Sequence, residues 1–338
     1  MLLGVLDQSP ITEGSPPAQA LHNSVDLAEL TDALGYHRYW VAEHHATPAL
    51  ACAAPEILIG AIASRTERIR VGSGGVMLPH YSPLKVAETF SSLSGLHPER
   101  IDLGLGRAPG TDPMTMLALQ RDRRHAPADD FIEQLVELLG LLEDRLPPNH
   151  PFARHARTLP GLPERPEPWL LGSSPQSALW AGELGLPYSF ADFINPQGAA
   201  IVADYRGRFV DSERLPAPRV SVGVIAICAE SDEEAERLAA SSRMMLSLLR
   251  QGRLIEIPPV EKALRYLETR SPGKSDRRAV IGAPETVRAG LEEVVAEYGA
   301  DELLVLTITH DHAARRRSYE LIAEAFAVQP SSSVATQR

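Results

Sequence analysis

The stretch "RIDLGLGRA", residues 100–108, decides how this chain folds. It is a short apolar run that stops at Gly106-Arg107 and reads as a buried strand. Seven further runs share that character: "LLGVLDQ" (2–8), "RYWVAEH" (38–44), "RIRVGSGGVML" (68–78), "PWLLGSS" (168–174), "YSFADFI" (188–194), "RVSVGVIAIC" (219–228) and "DELLVLTIT" (301–309). Helical patterns lie between them. Residues 23–35 carry Leu27, Leu30 and Leu34 on one stripe, with Gly35 where a C-terminal cap belongs. Pro55, Pro83 and Pro284 open helices over 55–65, 83–96 and 284–298. Further helices are expected over 129–143, 175–185, 198–210, 231–250 and 312–327, with Ser231 and Glu234 matching a capping box. Eight strands, each followed by a helix, predict an α/β fold of the (β/α)8 TIM barrel type. An open doubly wound sheet fits less well, because no G-x-G-x-x-G follows the first strand.

The expected organisation is one barrel domain over 1–328, with insertions after strands 4 and 7 and a mobile tail at 329–338. Residues 109–128, 144–167 and 251–279 are too long for ordinary connections and read as lids or disordered loops. The 338 residues are 44% hydrophobic and 23% charged, as in a globular protein. A formal charge of -11 argues against nucleic-acid binding, which calls for a basic face. No apolar run reaches membrane-spanning length, and the N-terminus lacks the basic region of a signal peptide, so a cytoplasmic protein is expected. Cys52 and Cys228 form neither a disulfide framework nor a C-x-x-C site.

In a barrel, chemistry gathers where strands end. Those positions hold Asp7, Glu43-His44-His45, Gly74-Gly75, Gly106-Arg107, Gly172-Ser173-Ser174, Asp192 and His310-Asp311-His312. A metal site is not assigned, since His44 and His45 cannot both point inward on a regular strand and no ligand spacing is diagnostic. Gly74-Gly75 marks either a tight barrel contact or the close approach of a flat ligand. In "LLGSSPQSALW", Ser174 is either a plain N-cap or part of a phosphate site at a helix N-terminus, to which Arg107 would add a bidentate charge. Trp40, Trp169 and Trp180 read as core or interface residues.

"VAEHH", "VGSGGVMLPHYSPLKVAE", "RIDLGLGRAPGTDP" and "LLGSSPQSALWAGELGLP", in this order and spacing, resemble the bacterial luciferase-like flavin monooxygenases over about 2–320. The resemblance implies a (β/α)8 barrel that takes reduced FMN from a separate flavin reductase. It implies that O2 then gives a C4a-peroxyflavin, which oxygenates a small organic substrate. It implies catalytic roles for His44, as proton donor or base, and for Glu43 beside it. Arg107 with Ser173, Ser174 and Ser177 matches the phosphate cradle. Gly74 and Gly75, with Val76 next to them, match a non-prolyl cis peptide under the flavin ring. Asp7, Gly172 and Asp192 complete the cofactor-binding expectation. Segment 251–279 matches a mobile lid, and a homodimer through helices near strands 2 and 3 is implied. Light-emitting members carry cysteine before the arginine; here it is Gly106, which argues against luminescence. Some relatives use the deazaflavin F420 for hydride transfer. The acidic chain shows no extended basic groove for its polyglutamate tail, so FMN is expected. A non-catalytic flavin-binding protein is the third reading.

Overall fold

The computed structural model describes residues 1–107, 112–120, 123–124, 129–269 and 277–329. Its strands are β1 (Leu2–Asp7), β2 (Arg38–Val41), β3 (Arg70–Ser73), β4 (Val76–Met77), β5 (Ile101–Gly106), β6 (Glu167–Gly172), β7 (Tyr188–Ala191), β8 (Val220–Cys228), β9 (Ala279–Gly282) and β10 (Glu302–Leu306). All pairings between them are parallel. Strand order runs β10-β1-β2-β3-β5-β6-β7-β8, and β8 pairs back onto β10, so the barrel is closed. The eight expected strands are the eight that close it. The third is divided: β3 and β4 both pair with β5, and between them the Gly74–Gly75 peptide is cis.

The helices are α1 (Pro17–Leu34), α2 (Pro55–Arg65), α3 (Pro83–Leu96), α4 (Pro113–Leu119), α5 (Phe131–Glu143), α6 (Pro175–Glu183), α7 (Ala199–Arg208), α8 (Asp232–Leu249), α9 (Val260–Glu268), α10 (Pro284–Tyr298) and α11 (His312–Ala325). Caps behave as the sequence implies: Gly35 ends α1 at φ 91°, and the Ser231 hydroxyl accepts from the Glu234 N–H. Two differences stand out. α1 begins at Pro17, six residues before the apolar stripe suggests, because proline is well placed in a first turn. Segment 251–279 contains α9, whose Ala263 packs into a cluster with Ala240, Met244 and Leu248 of α8. β9 adds to the far half of β8 outside the barrel.

Strand alternation sorts side chains into two cores. Val5, Tyr39, Val41, Leu303 and Val305 face the helices, while Leu6, Trp40, Trp169, Ile225 and Leu304 fill the barrel axis. Trp40 and Trp169 meet edge to face at 5.3 Å. Below them the N-terminal end of the axis is closed by charge. Arg38 Nε donates to Glu302 at 2.7 Å and its Nη1 to Asp102 at 2.6 Å. Asp102 also accepts from Arg70 at 2.6 Å and from the Trp40 indole at 2.8 Å. Arg38, Asp102 and Glu302 are all buried. A cleft of about 710 Å³ opens beside this base, but its charges pair among themselves, Arg219 with Glu167 and Arg214 with Glu143, so it belongs to the same ionic network.

Candidate active site

The opposite end of the barrel holds two cavities of about 450 and 460 Å³ that share Leu6, Gly74, Met77, Phe193 and Ile194 as a common wall. The first lies over β3–β6. Arg107 follows β5, and Ser173 and Ser174 follow β6 into the N-terminus of α6. Ser174 caps that helix, accepting from the Ser177 N–H, and Pro175 supplies the first turn without an amide to satisfy. Ser177 Oγ lies 2.8 Å from the Ser174 carbonyl and 2.9 Å from Tyr188 Oη, so it is held inside the cradle. A side chain at Gly172 would meet Ser177 Oγ at 2.2 Å, which explains the glycine there. The Arg107 guanidinium lies over the Trp180 ring at 5.5 Å. Deeper in, the cavity is apolar, with Trp40 as its floor and Leu171 and Phe193 as walls.

Gly74 and Gly75 line the slot between cradle and floor. A Cβ on Gly74 would sit 2.6 Å from Leu6 Cδ1, and one on Gly75 would sit 2.7 Å from the Gly104 carbonyl oxygen. At Gly75 the obstacle is backbone, so only glycine fits, while at Gly74 the Leu6 side chain would have to move.

The second cavity lies over β1, β2, β8 and β10, roofed by Met245, Leu246 and Leu249 of α8. His44 lines it, and its Nδ1 is buried without a hydrogen-bond partner. Burial pushes the imidazole down to about 4, assisted by adjacent His45 and opposed by the Ala42 carbonyl, so the ring is neutral near pH 7. Glu43 does not line either cavity. It is buried beneath them, its carboxylate accepting from the Tyr81 hydroxyl at 2.8 Å and the Met77 N–H at 3.0 Å, with His45 Nε2 at 2.6 Å. It thus fixes Met77, a residue of the common wall.

The structure therefore brings Gly74, Gly75, Arg107, Gly172, Ser173, Ser174 and Ser177 to one cavity and His44 to its neighbour. It leaves Asp7, Val76 and Asp192 outside both. Asp7 points outward from β1, where its carboxylate accepts from Arg315 at 2.7 Å, from the Ser9 N–H at 2.7 Å and from the Tyr39 hydroxyl at 2.5 Å. Asp192 faces away from the axis, with the Tyr298 hydroxyl donating to it at 2.8 Å. Val76 is packed in the outer core. Trp40 is buried in the axial core, as the sequence reading has it, and both it and Trp180 also line the first cavity. Among the described residues no group of three or more His, Cys, Asp or Glu side chains is arranged to hold a metal.

A pH dependence of stability follows. His44 and His37 are both pushed down to about 4, by burial first and, for His37, by the neighbouring Arg38 cation. Their folded pKa values lie below the unfolded one of about 6.5, so unfolding takes up protons between those limits. Their contribution is complete above pH 6.5 and is lost as pH falls toward 4. Asp192 and Glu302, raised by burial, act in the opposite sense. The expected result is thus a difference in slope: urea unfolding between pH 7.5 and 5 should be less pH-dependent in His44→Gln than in the parent. Equal slopes would remove the burial effect at His44.

A closed (β/α)8 barrel carries two adjoining cavities at its C-terminal mouth, one of them with Arg107, Ser173 and Ser174 at the edge of a mainly apolar slot. The luciferase-like monooxygenase family model matches residues 1–302, and the chain belongs to that family. It is 41% identical to a luciferase-like monooxygenase of Escherichia coli (strain K12), covering 94% of each chain. It is 37% identical to an N-acetyl-S-alkylcysteine monooxygenase of Bacillus subtilis (strain 168), covering 96% of this chain and 97% of that protein. The crystal structure of apo-MsnO8 superposes with a TM-score of 0.90 at 42% identity, covering 97% of this chain and 99% of that one. The chain is an oxidoreductase of the monooxygenase class. Among the described residues no helix is long and apolar enough to cross a membrane.

Proposed function

We propose that this enzyme uses reduced FMN and O2 to place one oxygen atom on a small organic substrate, the second leaving as water. The observation that carries this is the juxtaposition of a phosphate-type cradle and a glycine-lined slot with a second, mainly apolar cavity containing His44. Arg107, Ser173 and Ser174 would hold the phosphate, with the α6 N-terminus adding its dipole. Gly74 and Gly75 would let the ring system lie against backbone. Reduced FMN supplies the two electrons that O2 activation needs.

The chain's own groups do the rest. His44, neutral and lining the second cavity, can accept a proton there, or pass one after a change of tautomer. Met245, Leu246 and Leu249 line the same cavity and would limit water in it. Glu43 holds Met77 and so keeps the common wall in place. We place segment 251–279, of which residues 270–276 lie outside the described residues, as the lid, and a separate reductase as the source of reduced flavin. A homodimer through α2 and α3 is supported by exposed apolar side chains there, Ile57 on α2 and Leu96 on α3. A cytoplasmic location goes with this reading.

The test is a parallel titration of the apo protein with reduced FMN and with F420, followed by O2. FMN should bind and F420 should not, and His44→Ala should bind FMN normally yet release H2O2 instead of oxygenating substrate. F420 binding without oxygen consumption would replace this reading by hydride transfer. Flavin binding without turnover would make the protein a carrier. Unchanged coupling in His44→Ala would remove the histidine from the reaction.

A further inference from the structure

Five residues line both cavities, and the one aromatic side chain among them, Phe193, has a placement that is built rather than incidental. Phe193 follows β7 at the mouth of the barrel and lines both cavities. Its N–H donates to the Gly223 carbonyl of β8 at 3.2 Å. A Cβ on Gly223 would stand 3.1 Å from Phe193 Cε1 and 3.8 Å from Leu6 Cδ2, so the missing side chain leaves room for the ring to lean across the axis toward β1. The backbone on either side is pinned. Buried Asp192 is held by Tyr298 at 2.8 Å and faces Arg278 Nε at 3.5 Å, and Arg278 also donates to the Pro196 carbonyl at 3.2 Å. Asn195 donates to the Ser173 carbonyl at 3.1 Å, tying the same loop to the cradle.

The second cavity also has a definite chemistry. Its body is apolar, formed by Ile225, Met245, Leu246, Leu306 and Ile308. The two charged residues that touch it, Asp112 and Arg277, are of opposite sign, and the Asp112 carboxylate already accepts from the Met114 and Thr115 amides as the cap of α4. Such a space favours an uncharged, compact, largely apolar molecule.

We propose that Phe193 is the specificity-determining residue of this enzyme: its ring limits the size of an uncharged apolar substrate in the second cavity by closing that cavity against the first. The proposal rests on the flavin reading of the first cavity for its chemistry, but the partition itself does not need flavin. Removing the ring adds its own volume to the second cavity and so admits a larger molecule there, with the first cavity still filled by FMN. Phe193 does not move protons or electrons and is a positioning wall for the substrate.

The test uses two uncharged aryl thioethers, thioanisole and 2-naphthyl methyl sulfide, titrated by calorimetry into the protein saturated with oxidised FMN. The parent should bind thioanisole at least tenfold more tightly. Phe193→Ala should bring the two affinities within about threefold by gaining affinity for the larger probe, with each variant first titrated with FMN so that it too is saturated. Phe193→Leu should fall between them, and it carries the test if the alanine variant folds poorly. An unchanged size preference in both variants overturns the proposal, as does failure of the parent and both variants to bind either probe. If FMN does not bind, the same titration on apo protein separates the two readings. A size preference that depends on Phe193 keeps the partition while the flavin reading falls, and its absence there removes both.

Discussion

Arg38→Ala should destabilise the protein by about 3–5 kcal/mol, the loss expected when one member of a buried ion pair is removed. Arg38 neutralises Glu302 and Asp102 at once, in a layer where all three side chains are buried. Asp102 keeps Arg70 and the Trp40 indole, so the unmatched charge falls on Glu302. Burial already raises that carboxyl's pKa, with Arg38 as its principal opposing cation. Without Arg38 it folds best protonated. The deficit, read as the shift in urea midpoint, should therefore be smaller at pH 5 than at pH 8. A paired change, Arg38→Met with Glu302→Leu, should recover most of the stability, because it removes both charges and keeps volume. A parental midpoint in Arg38→Ala would show that the network does not stabilise the barrel.

The second large effect is on ligand binding. Arg107→Ala should weaken FMN binding by about 1.5–3 kcal/mol, roughly ten- to 150-fold, the range for a hydrogen bond to a charged group. Riboflavin, which has the ring but no phosphate, should bind parent and variant alike. Arg107→Lys should recover only part of the loss, since an ammonium cannot make the two-pronged contact or lie flat on Trp180 as the guanidinium does. Added salt should weaken the parent more than the alanine variant. An unchanged FMN affinity would move the phosphate elsewhere, and a parallel loss for riboflavin would make Arg107 a support of the ring pocket.

Much of this architecture was legible in the sequence. The eight barrel strands and the helices opened by Pro55, Pro83 and Pro284 sit where apolar period and caps put them, because a parallel strand covered on both faces leaves a continuous apolar run, whereas the early start of α1 and the whole of α4 were not read. β9 was missed. Its four residues follow a charged stretch, and it pairs on β8 outside the barrel, so no period announces it. At the site, strand parity was applied to His44 and His45 but not to Asp7 and Asp192. Asp7 shares its face with Leu3 and Val5 of the outer core, so it could not reach the axis that Leu6 reaches. Asp192 likewise lies between inward Ala191 and Phe193. His44 falls on the inward series of Trp40 and Ala42, and Glu43 on the outward one. Phe193 and the α8 roof were not legible, since an apolar residue lining a cavity looks like one filling a core until its neighbours are placed.

The ionic base under Trp40 and Trp169 has a consequence for traffic. The barrel is a blind tube, stoppered at one end, so every molecule that enters by the mouth must back out through it. The first cavity reaches the Trp40 floor, and the second lies beside it around the same opening. Both cavities therefore fill and empty at the same end of the barrel, with no passage along the axis past the ionic base.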